Sequence, residues 1–514
     1  MPTTKTSAAP LFIHPSDLTI QTAIRLPLPI VEGNRDYREH EALLRRMDNL
    51  LVSSGAESAF LAAQVAAART DADDAGKPLT DRMRNAVQEN AKQALRCTIA
   101  RMLSNESHRD FSRHLAESPL LQWFCGMELG GVIHVPSKSS LQRMESEVPA
   151  ELIHEVHATL LKQSMSVDAK GKSVLDLADP VDLSLVWMDS TCAKLDIHYP
   201  ADWILLRDAT RTIMKAIVTI RSHGLRHRMP APERFIAKMN AQAMAMTSSS
   251  RRGRGGDKKR DRKSTLRTMK RIVGTVRTHG KRYRDLLQKS WADTDLTKQQ
   301  AQRIIDRIDG ILNQIPVAIK QAHERIIGER VVPNAGKLLS LYQPHAQVYV
   351  RGKAGADVEF GLQLLISESA EGLIIDGYLI DEITNDSKLL MPAIVRMRKD
   401  YGDSVACTVV TDRGFASAGN DVALEKAKIT NSTLPRNPDA MVARLKDPVH
   451  RRLQQRRAQT EARIGIFKGK FLGDHLPTKD FEAQHRFIAW AALSHNLWVL
   501  ARLETAEDAV GEAG

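Results

Sequence analysis

This sequence has few cysteines, no long apolar run and no excess of acidic residues. Its four cysteines, Cys97, Cys125, Cys192 and Cys407, are scattered over 514 residues, a spacing that indicates neither a disulfide framework nor a zinc site. No apolar run approaches the length of a membrane span, and the N-terminus lacks the charged-then-apolar order of a secretory signal. We therefore expect a reduced, cytoplasmic protein with no membrane partner.

Basic residues outnumber acidic ones. Lys and Arg total 74 against 61 Asp and Glu, which gives a net charge of +13 at pH 7. An excess of this size favours a polyanionic partner, and nucleic acid is the commonest one. Solubility or a membrane surface would also account for the charge. No amphipathic basic helix stands out, however, so the membrane is the least favoured of these interpretations.

The first part of the chain has a helical pattern. Residues 1–40 are rich in Pro, Thr and Ser and lack a period, which indicates an irregular arm. Residues 41–180 combine helix formers with apolar residues at three- and four-residue spacing, which predicts a helical domain. Within it, Ser137 to Ser140 can cap a short helix, and Pro149 suits the first turn of the next. Such a pair is either a helix-turn-helix reader of a DNA groove or part of a plain helical bundle.

In the rest of the chain, two apolar segments end in an aspartate. LSLVWMDST (183–191) carries Asp189 near its end, and VACTVVTDRGF (405–415) carries Asp412 after its apolar run. Buried strands that deliver carboxylates at their C-terminal ends commonly build an active site on a sheet. Further strand-like segments from 337 onward, with helices between them, predict an α/β domain over 181–505. We expect a mixed sheet flanked by helices, then a short tail at 506–514.

A basic, helical stretch from about 223 to 335 is predicted to be an insertion into this domain. It contains RRGRGGDKKRDRKSTLRTMKR at 251–271. This run is either a solvated linker or a surface that contacts DNA phosphates without reading their sequence. On the second interpretation the candidate DNA-contacting residues are Arg251, Arg252, Arg254, Lys258, Lys259 and Arg260.

The stretch RRAQTEARIGIFKGKF (456–471) predicts a helix with a charged face. At about 100° per residue, Arg457, Glu461 and Lys468 fall within about 40° of one another. Leu453, Ile464 and Phe467 flank that face and would pack the helix against a core. A helix face with a carboxylate between two cations is suited to contact an anionic substrate that is bound to a metal ion. The alternative is a solvated helix with ordinary charge pairs at spacings of four.

Three carboxylates on such elements suit Mg²⁺, which binds few protein oxygens and keeps positions open for substrate phosphate. Asp189, Asp412 and Glu461 are the candidate catalytic and metal ligands. Two ions about 4 Å apart can activate a water or a 3′-hydroxyl and stabilise the leaving oxygen. Arg457 and Lys468 would then contact phosphates. Arg457 would do so with its planar, forked guanidinium and Lys468 with a compact ammonium charge. The structural alternative is that Asp189 and Asp412 merely cap the next elements of the chain.

Taken in order, these motifs resemble those of bacterial insertion-sequence transposases of the DDE type. The resemblance rests on DST at 189–191, DRG at 412–414 and Arg-x3-Glu-x6-Lys at 457–468, over most of residues 110–505. HYPADWILLRDA, GKAGADVEFGLQL and the Phe-Cys-Gly segment at 124–126 are also similar to family stretches. Gln454 stands where the family's longer signature has a tyrosine.

The resemblance implies an RNase H-like catalytic core with Asp189, Asp412 and Glu461 holding Mg²⁺, two ions in all, for which Mn²⁺ can substitute. It implies that the N-terminal helices bind the element's terminal inverted repeats or serve assembly. It also implies strand cleavage that leaves a 3′-hydroxyl, strand transfer into target DNA, and a dimer or higher oligomer on double-stranded DNA. The setting would be the bacterial cytoplasm, with the protein associated with the nucleoid.

Two other functions fit the same residues. An RNase H-fold endonuclease would use the same triad, because hydrolysis and transfer differ only in whether water or a 3′-hydroxyl attacks. A DNA-binding regulator descended from a transposase would need no catalysis. A damaged triad is expected of such a regulator, whereas all three acidic positions are present here.

Overall fold

The structure is a computed structural model that describes residues 28, 30–74, 76, 78–127, 133–251, 256–350 and 358–506. The side chains of residues 250, 251, 256, 257 and 335 are outside this description. Consequently Arg252, Arg254 and the Arg251 side chain lie outside the described residues. So do most of the predicted arm, nearly all of the tail, and the first half of GKAGADVEFGLQL.

Helices make up the described N-terminal part, as its periodicity predicts. Side-chain oxygens of Asn34, Thr80, Ser107, Ser118 and Ser137 cap five of these helices, which is the usual chemistry of helix starts. The first helix begins within the stretch expected to be irregular. The helices are α1 (Arg35–Ser53), α2 (Ala56–Asp74), α3 (Asp81–Ser104), α4 (His108–Glu117), α5 (Pro119–Phe124), α6 (Lys138–Glu147) and α7 (Ala150–Met165).

The α6–α7 pair packs into the helical core of the N-terminal part. Ile153, Val156 and Leu160 of α7 are fully buried, and α7 packs against α2 and the C-terminal helix described below. The exposed residues of α7 include Glu151, Glu155 and Lys162. The pair is thus anchored in the helical bundle by one face of α7, and DNA reading by this pair stays a prediction.

Arg96 connects four of the N-terminal helices. Its guanidinium is fully buried, pairs with Asp48 of α1 and Glu57 of α2, and donates to the Phe124 carbonyl oxygen at 2.9 Å. Gly126, two residues later, has a φ of +71°, which favours glycine. The Phe-Cys-Gly segment therefore contributes a carbonyl oxygen to the buried Arg96 ion-pair cluster that connects these helices.

A six-stranded mixed sheet carries the predicted catalytic motifs. Its order is β2-β3-β1-β5-β6, with β4 also paired to β3. β1 runs antiparallel to β3 and parallel to β5. The predicted α/β fold with a mixed sheet is thus confirmed. The strands are β1 (Leu185–Lys194), β2 (Gln347–Val350), β3 (Val358–Glu368), β4 (Ile374–Ile380), β5 (Thr408–Val410) and β6 (Thr430–Asn431).

Helices flank the sheet, and one hydrophobic core joins it to the N-terminal helices. The last helix, α16, is buried along most of its length and packs on α7, α3 and β4. The N-terminal helices and the sheet therefore do not have separate cores. The later helices are α12 (Asp386–Tyr401), α13 (Ala418–Lys426), α14 (Pro438–Arg444), α15 (Pro448–Ile466) and α16 (Phe481–Leu500). A π-helical turn, Phe467–Leu472, extends α15.

Four helices between β1 and β2 form a bundle with its own hydrophobic core. They are α8 (Asp202–Ser222), α9 (Pro232–Arg251), α10 (Gly256–Ser290) and α11 (Lys298–Ala322). The insertion was expected from about 223, but α8 packs with α9, α10 and α11 and so belongs to the same bundle. Asp202 at the start of α8 pairs with Arg325 just after α11, at 3.0 Å, which joins the two ends of the bundle.

In the part of the chain that the structure describes, no single helix is both long and apolar enough to cross a membrane. Among these described helices, only α1 and α2 taken together, bent by 58°, reach that length and composition.

Candidate active site

The register of β1 and β5 brings the two aspartates level with each other. Trp187 pairs with Val410 in the last parallel pair, and Asp189 and Asp412 each lie two residues farther along. Asp189 was expected at the end of its strand, but β1 continues to Lys194 because it stays paired with β3, with Asp189 opposite Ile366. Asp189 therefore lies within β1, just beyond the segment that pairs with β5.

Helix α15 covers the face of β1 that carries Asp189. Trp187, Asp189 and Thr191 share this face, since side chains alternate along a strand. The Trp187 indole donates to the Leu453 carbonyl oxygen at 3.1 Å, and Lys468 Nζ donates to Thr191 Oγ1 at 3.1 Å. Contacts at both ends of this face thus hold the helix over Asp189.

Arg457 bridges the strand and the helix. Its guanidinium lies 3.7 Å from an Asp189 carboxylate oxygen and 3.5 Å from a Glu461 carboxylate oxygen. Arg457 and Glu461 are one turn apart on α15, as the predicted charged face requires. The Arg457 side chain is 22% exposed and that of Glu461 48%, so this face remains open to a substrate.

Lys468 does not continue the face of Arg457 and Glu461 at regular α-helical spacing. It lies in the π-helical turn Phe467–Leu472, and the extra residue in such a turn changes the angular position of the residues after it. The predicted alignment of three residues on one regular helix is wrong in this respect. Lys468 reaches β1 nevertheless, through Thr191.

Three carboxylates act on one another at this site. Burial, and then the negative charge of Asp412, raises the pKa of Asp189 from 3.8 to about 6; Glu461 contributes in the same direction. Arg457 and the Ser190 backbone N–H act against this rise. Of the candidate residues, the structure thus brings Asp189, Asp412, Glu461, Arg457 and Lys468 together.

Gly414 of the DRG motif leaves room for two carboxylates. A Cβ at this position would lie 2.9 Å from Asp412 Oδ1 and 3.0 Å from Asp386 Oδ2, closer than side-chain carbons approach such atoms. The Gly414 N–H donates to Asp412 Oδ1 at 2.8 Å. The glycine therefore permits the turn that orients Asp412.

Asp386, the first residue of α12, is a fourth carboxyl group at the site, and sequence reasoning missed it. Gln363 of β3 donates to it at 3.0 Å. Burial raises the pKa of Asp386, and the nearby charge of Asp412 adds to the effect. Its only signal in the sequence was a helix start after an apolar strand, a signal that many acidic caps share.

A buried ion pair holds α15 in place. The Glu368 side chain at the end of β3 is 2% exposed. It accepts from Arg456 at 2.8 Å and from Thr460 Oγ1 at 2.7 Å. Arg456 also donates to the Ala370 carbonyl oxygen at 2.7 Å and stacks 3.9 Å from the Trp187 ring centroid. We call Glu368, Arg456 and Thr460 the α15 clamp. Sequence reasoning missed it because its charges come together only through strand pairing.

Gln454, at the family's tyrosine position, connects α15 to the strand before Asp412. Its side-chain amide donates to the Thr411 carbonyl oxygen at 3.2 Å and to that of Ser432. The neighbouring contacts of α15 with β1 are made by Leu453 and Arg457. Gln454 therefore helps to set the distance between the helix with Glu461 and the strand end with Asp412.

The basic run of the insertion makes its described contacts within the bundle region. Lys259 and Lys263 pair with Glu329 at 3.0 and 2.9 Å, and Arg260 is exposed. Lys258 is half-buried. For the described side chains, no ion pair connects this run to Asp189, Asp412 or Glu461.

The acidic residues fit a hard divalent cation by their chemistry. Mg²⁺ prefers carboxylate oxygens, and a cation between the carboxylates relieves both causes of the raised Asp189 pKa, the burial of its charge and the repulsion from Asp412. Among the described residues, no three His, Cys, Asp or Glu side chains already form a finished metal site. The donors are therefore present without a completed coordination geometry.

A mixed sheet flanked by helices is consistent with an RNase H-like fold. Its candidate carboxylates lie on strand β1, just after strand β5 and on helix α15. Residues 341–497 match the family of the transposase DDE domain, and this match supports a transposase of the DDE type. The matched segment includes Asp412, Arg457, Glu461 and Lys468 but begins after Asp189, which the structure connects to it through β1. No curated protein and no solved structure matches the chain.

Proposed function

We propose that this protein binds the ends of an insertion sequence and carries out metal-dependent DNA cleavage and strand transfer. One observation supports this proposal most directly: Arg457 contacts both Asp189 and Glu461, on two different elements, while Asp412 occupies the matching position on the neighbouring strand. A capping role would explain each aspartate alone. It would not explain an acidic helix residue and an arginine on the same face.

Asp189, Asp412 and Glu461 are the residues that would hold Mg²⁺, in two ions, with Mn²⁺ able to substitute. When bound, the metal activates a water or a 3′-hydroxyl and stabilises the leaving oxygen of the phosphodiester. Backbone N–H groups hold two of these carboxylates, Ser190 N–H on Asp189 and Gly414 N–H on Asp412. The donors are thereby oriented before a substrate arrives.

Arg457 and Lys468 have separate tasks in this proposal. The Arg457 fork keeps Asp189 and Glu461 in register, and its remaining N–H groups can meet a phosphate oxygen. Lys468 donates to Thr191, on the face of β1 that carries Asp189, and supplies a compact positive charge there. The α15 clamp holds the helix that carries Arg457 and Glu461.

The partners in this proposal are double-stranded DNA, as terminal inverted repeats and as target, and further copies of the same chain in a dimer or higher assembly. The N-terminal helices serve end binding or assembly, and the basic run with Arg251, Arg252, Arg254, Lys258, Lys259 and Arg260 contacts phosphates. We place the protein in the bacterial cytoplasm, on the nucleoid. The charge of +13 supports a polyanionic partner.

The decisive variant is Glu461→Gln, which removes a metal ligand and the charge that Arg457 contacts but keeps the shape of the side chain. We expect cleavage of an end-bearing duplex in Mg²⁺ to be lost, while DNA affinity changes by less than about twofold, because the side chain keeps its size. Glu425→Gln, at an exposed glutamate of α13, is the matched control and should cut like the unmodified protein. Equal cutting by both variants would refute the triad. Nicking without joining in the unmodified protein would indicate the endonuclease.

A further inference from the structure

Helix α10 concentrates the positive charge of the insertion. Over Gly256–Ser290 it carries thirteen Lys or Arg and three Asp. The neighbouring α11, over Lys298–Ala322, carries four Lys or Arg and two Asp. Both helices pack in the same bundle, so the charge of α10 is not a general property of the insertion.

The charges of α10 are sorted by face. Leu266, Met269, Val273, Val276 and Leu287 are fully buried in the bundle core. At about 100° per residue, five exposed basic residues fall within about 60° on the opposite side. These five residues, which we call the α10 ridge, are Arg260, Arg267, Arg271, Arg282 and Lys289.

Acidic partners lie beside the ridge and not on it. Lys259 and Lys263 pair with Glu329, and Arg284 pairs with Asp285 and Asp309. None of the five ridge side chains forms an ion pair with any residue in the described part of the chain. The basic residues on the flanks of α10 are thus partly neutralised, whereas the α10 ridge keeps its full positive charge.

The length of the ridge fits an extended polyanion. From Arg260 to Lys289 a straight helix rises about 43 Å, at about 1.5 Å per residue. This exceeds one turn of B-DNA, which is about 34 Å. A single carboxylate or phosphate would occupy one or two of these side chains. A duplex backbone presents phosphates over the whole line.

We propose that the α10 ridge is a docking surface for the sugar-phosphate backbone of duplex DNA, independent of base sequence. The inference rests on the proposed function for its choice of DNA as the polyanion. It goes beyond the six candidate DNA-contacting residues between 251 and 260, of which only Arg260 belongs to the ridge. Arg267, Arg271, Arg282 and Lys289 extend the contact along an ordered helix and give it a direction.

A charge-matched pair of triple variants tests this surface. The first carries Arg267→Gln, Arg271→Gln and Arg282→Gln on α10; the control carries Arg303→Gln, Arg307→Gln and Lys320→Gln on exposed positions of α11. Both lose three charges, and Gln is nearly as good a helix former as Arg or Lys. Circular dichroism and thermal unfolding of both variants verify that the bundle remains folded.

The measurement is the affinity for a labelled random-sequence duplex of about 30 base pairs, titrated over salt in EDTA. Each lost phosphate contact flattens the slope of log K against log salt by about 0.9. We expect the α10 variant to flatten by about 2 to 3 and to bind about tenfold or more weakly at low salt, while the α11 variant keeps its slope. Without metal, the result does not depend on cleavage and cannot be confused with a failure of the catalytic proposal.

Three outcomes would overturn the inference. An unchanged slope in the α10 variant would mean that the ridge does not contact phosphate. Equal losses in both variants would mean that net charge alone sets the affinity. A loss of binding to anionic phosphatidylserine vesicles with unchanged duplex binding would assign the ridge to a membrane surface instead.

Discussion

Arg457 on helix α15 lies 3.7 Å from Asp189 on strand β1. The contact joins two parts of the chain that are far apart in sequence, one inside the segment that matches the transposase DDE domain and one before it. Because Arg457 also contacts Glu461, one guanidinium sets the spacing of two carboxylates. This arrangement is the centre of the proposed chemistry.

Two substitutions of Arg457 should distinguish the contribution of its charge to cleavage from that of its forked guanidinium. Arg457→Gln removes both, and we expect single-turnover cleavage to fall about 100-fold, since about 1 Å of misplacement at a reacting group can cost that much. Arg457→Lys keeps the charge without the fork, so its rate should lie between those of Arg457→Gln and the unmodified protein. Arg452→Gln, an exposed position of the same helix, should cleave at the normal rate. Equal rates for all variants would show that Arg457 does not organise the site.

The raised pKa of Asp189 makes a prediction about stability. Its value of about 6 in the folded protein exceeds the ordinary 3.8, so the folded state favours the protonated form. This contribution is complete below about pH 4 and is lost as pH rises through about 6. At pH 8 the ionised carboxylate therefore destabilises the fold, by at most about 3 kcal/mol for two pKa units.

Asp189→Asn should consequently raise the free energy of unfolding at pH 8 in EDTA, by about 1 to 3 kcal/mol, and flatten its pH dependence between about pH 4 and 7. Added Mg²⁺ should stabilise the unmodified protein more than this variant. Chemical denaturation at both ends of this pH range measures the effect. A variant that is less stable than the unmodified protein at pH 8 would contradict the electrostatic account of the site.

The α15 clamp should behave as a coupled unit. Glu368→Ala leaves the Arg456 guanidinium without its acidic partner, and we expect a loss of about 3 kcal/mol in the free energy of unfolding, as for other broken buried pairs. The double variant Glu368→Leu with Arg456→Met should recover part of that loss without restoring full cleavage. Denaturant unfolding of the single and double variants measures the coupling. Additive effects would mean that the two residues act independently.

Gln454 should matter for the position of Asp412. Gln454→Ala leaves the carbonyl oxygens of Thr411 and Ser432 without this donor, and such losses cost about 1 to 3 kcal/mol when the groups are buried. We expect cleavage to slow because the end of β5 is then less fixed relative to α15. Exposed Gln455→Ala on the same helix is the control for helix stability. Unchanged stability and cleavage in Gln454→Ala would assign no such role to this position.

The sequence predicted the fold class because strand-like and helical patterns alternate in the order that a mixed sheet requires. It also predicted the helix face of Arg457 and Glu461, since a single turn fixes their spacing. It placed Asp189 at a strand end incorrectly. Polar residues after Asp189 end the apolar run, but pairing with β3 keeps the chain extended to Lys194.

Features set by distant contacts were beyond the sequence patterns. The π-helical turn at Lys468 interrupts the α-helical period, although the sequence pattern there continues without a break. Glu368 and Asp386 join the site through β3 and α12, whose neighbours no local pattern specifies. Ser137 was a correct helix cap, but the packing of α7 against α2 and α16 could not be predicted from the local pattern.

The most direct test of the central claim is a strand-transfer assay with purified protein, a labelled duplex that carries the flanking inverted repeat, and a supercoiled target. We predict joined product in Mg²⁺ or Mn²⁺ that is absent in EDTA, lost in Asp412→Asn, and retained in the exposed control Asp439→Asn. Joined product from Asp412→Asn at the normal rate would contradict the triad, and DNA binding without cleavage or joining by the unmodified protein would contradict the proposed function.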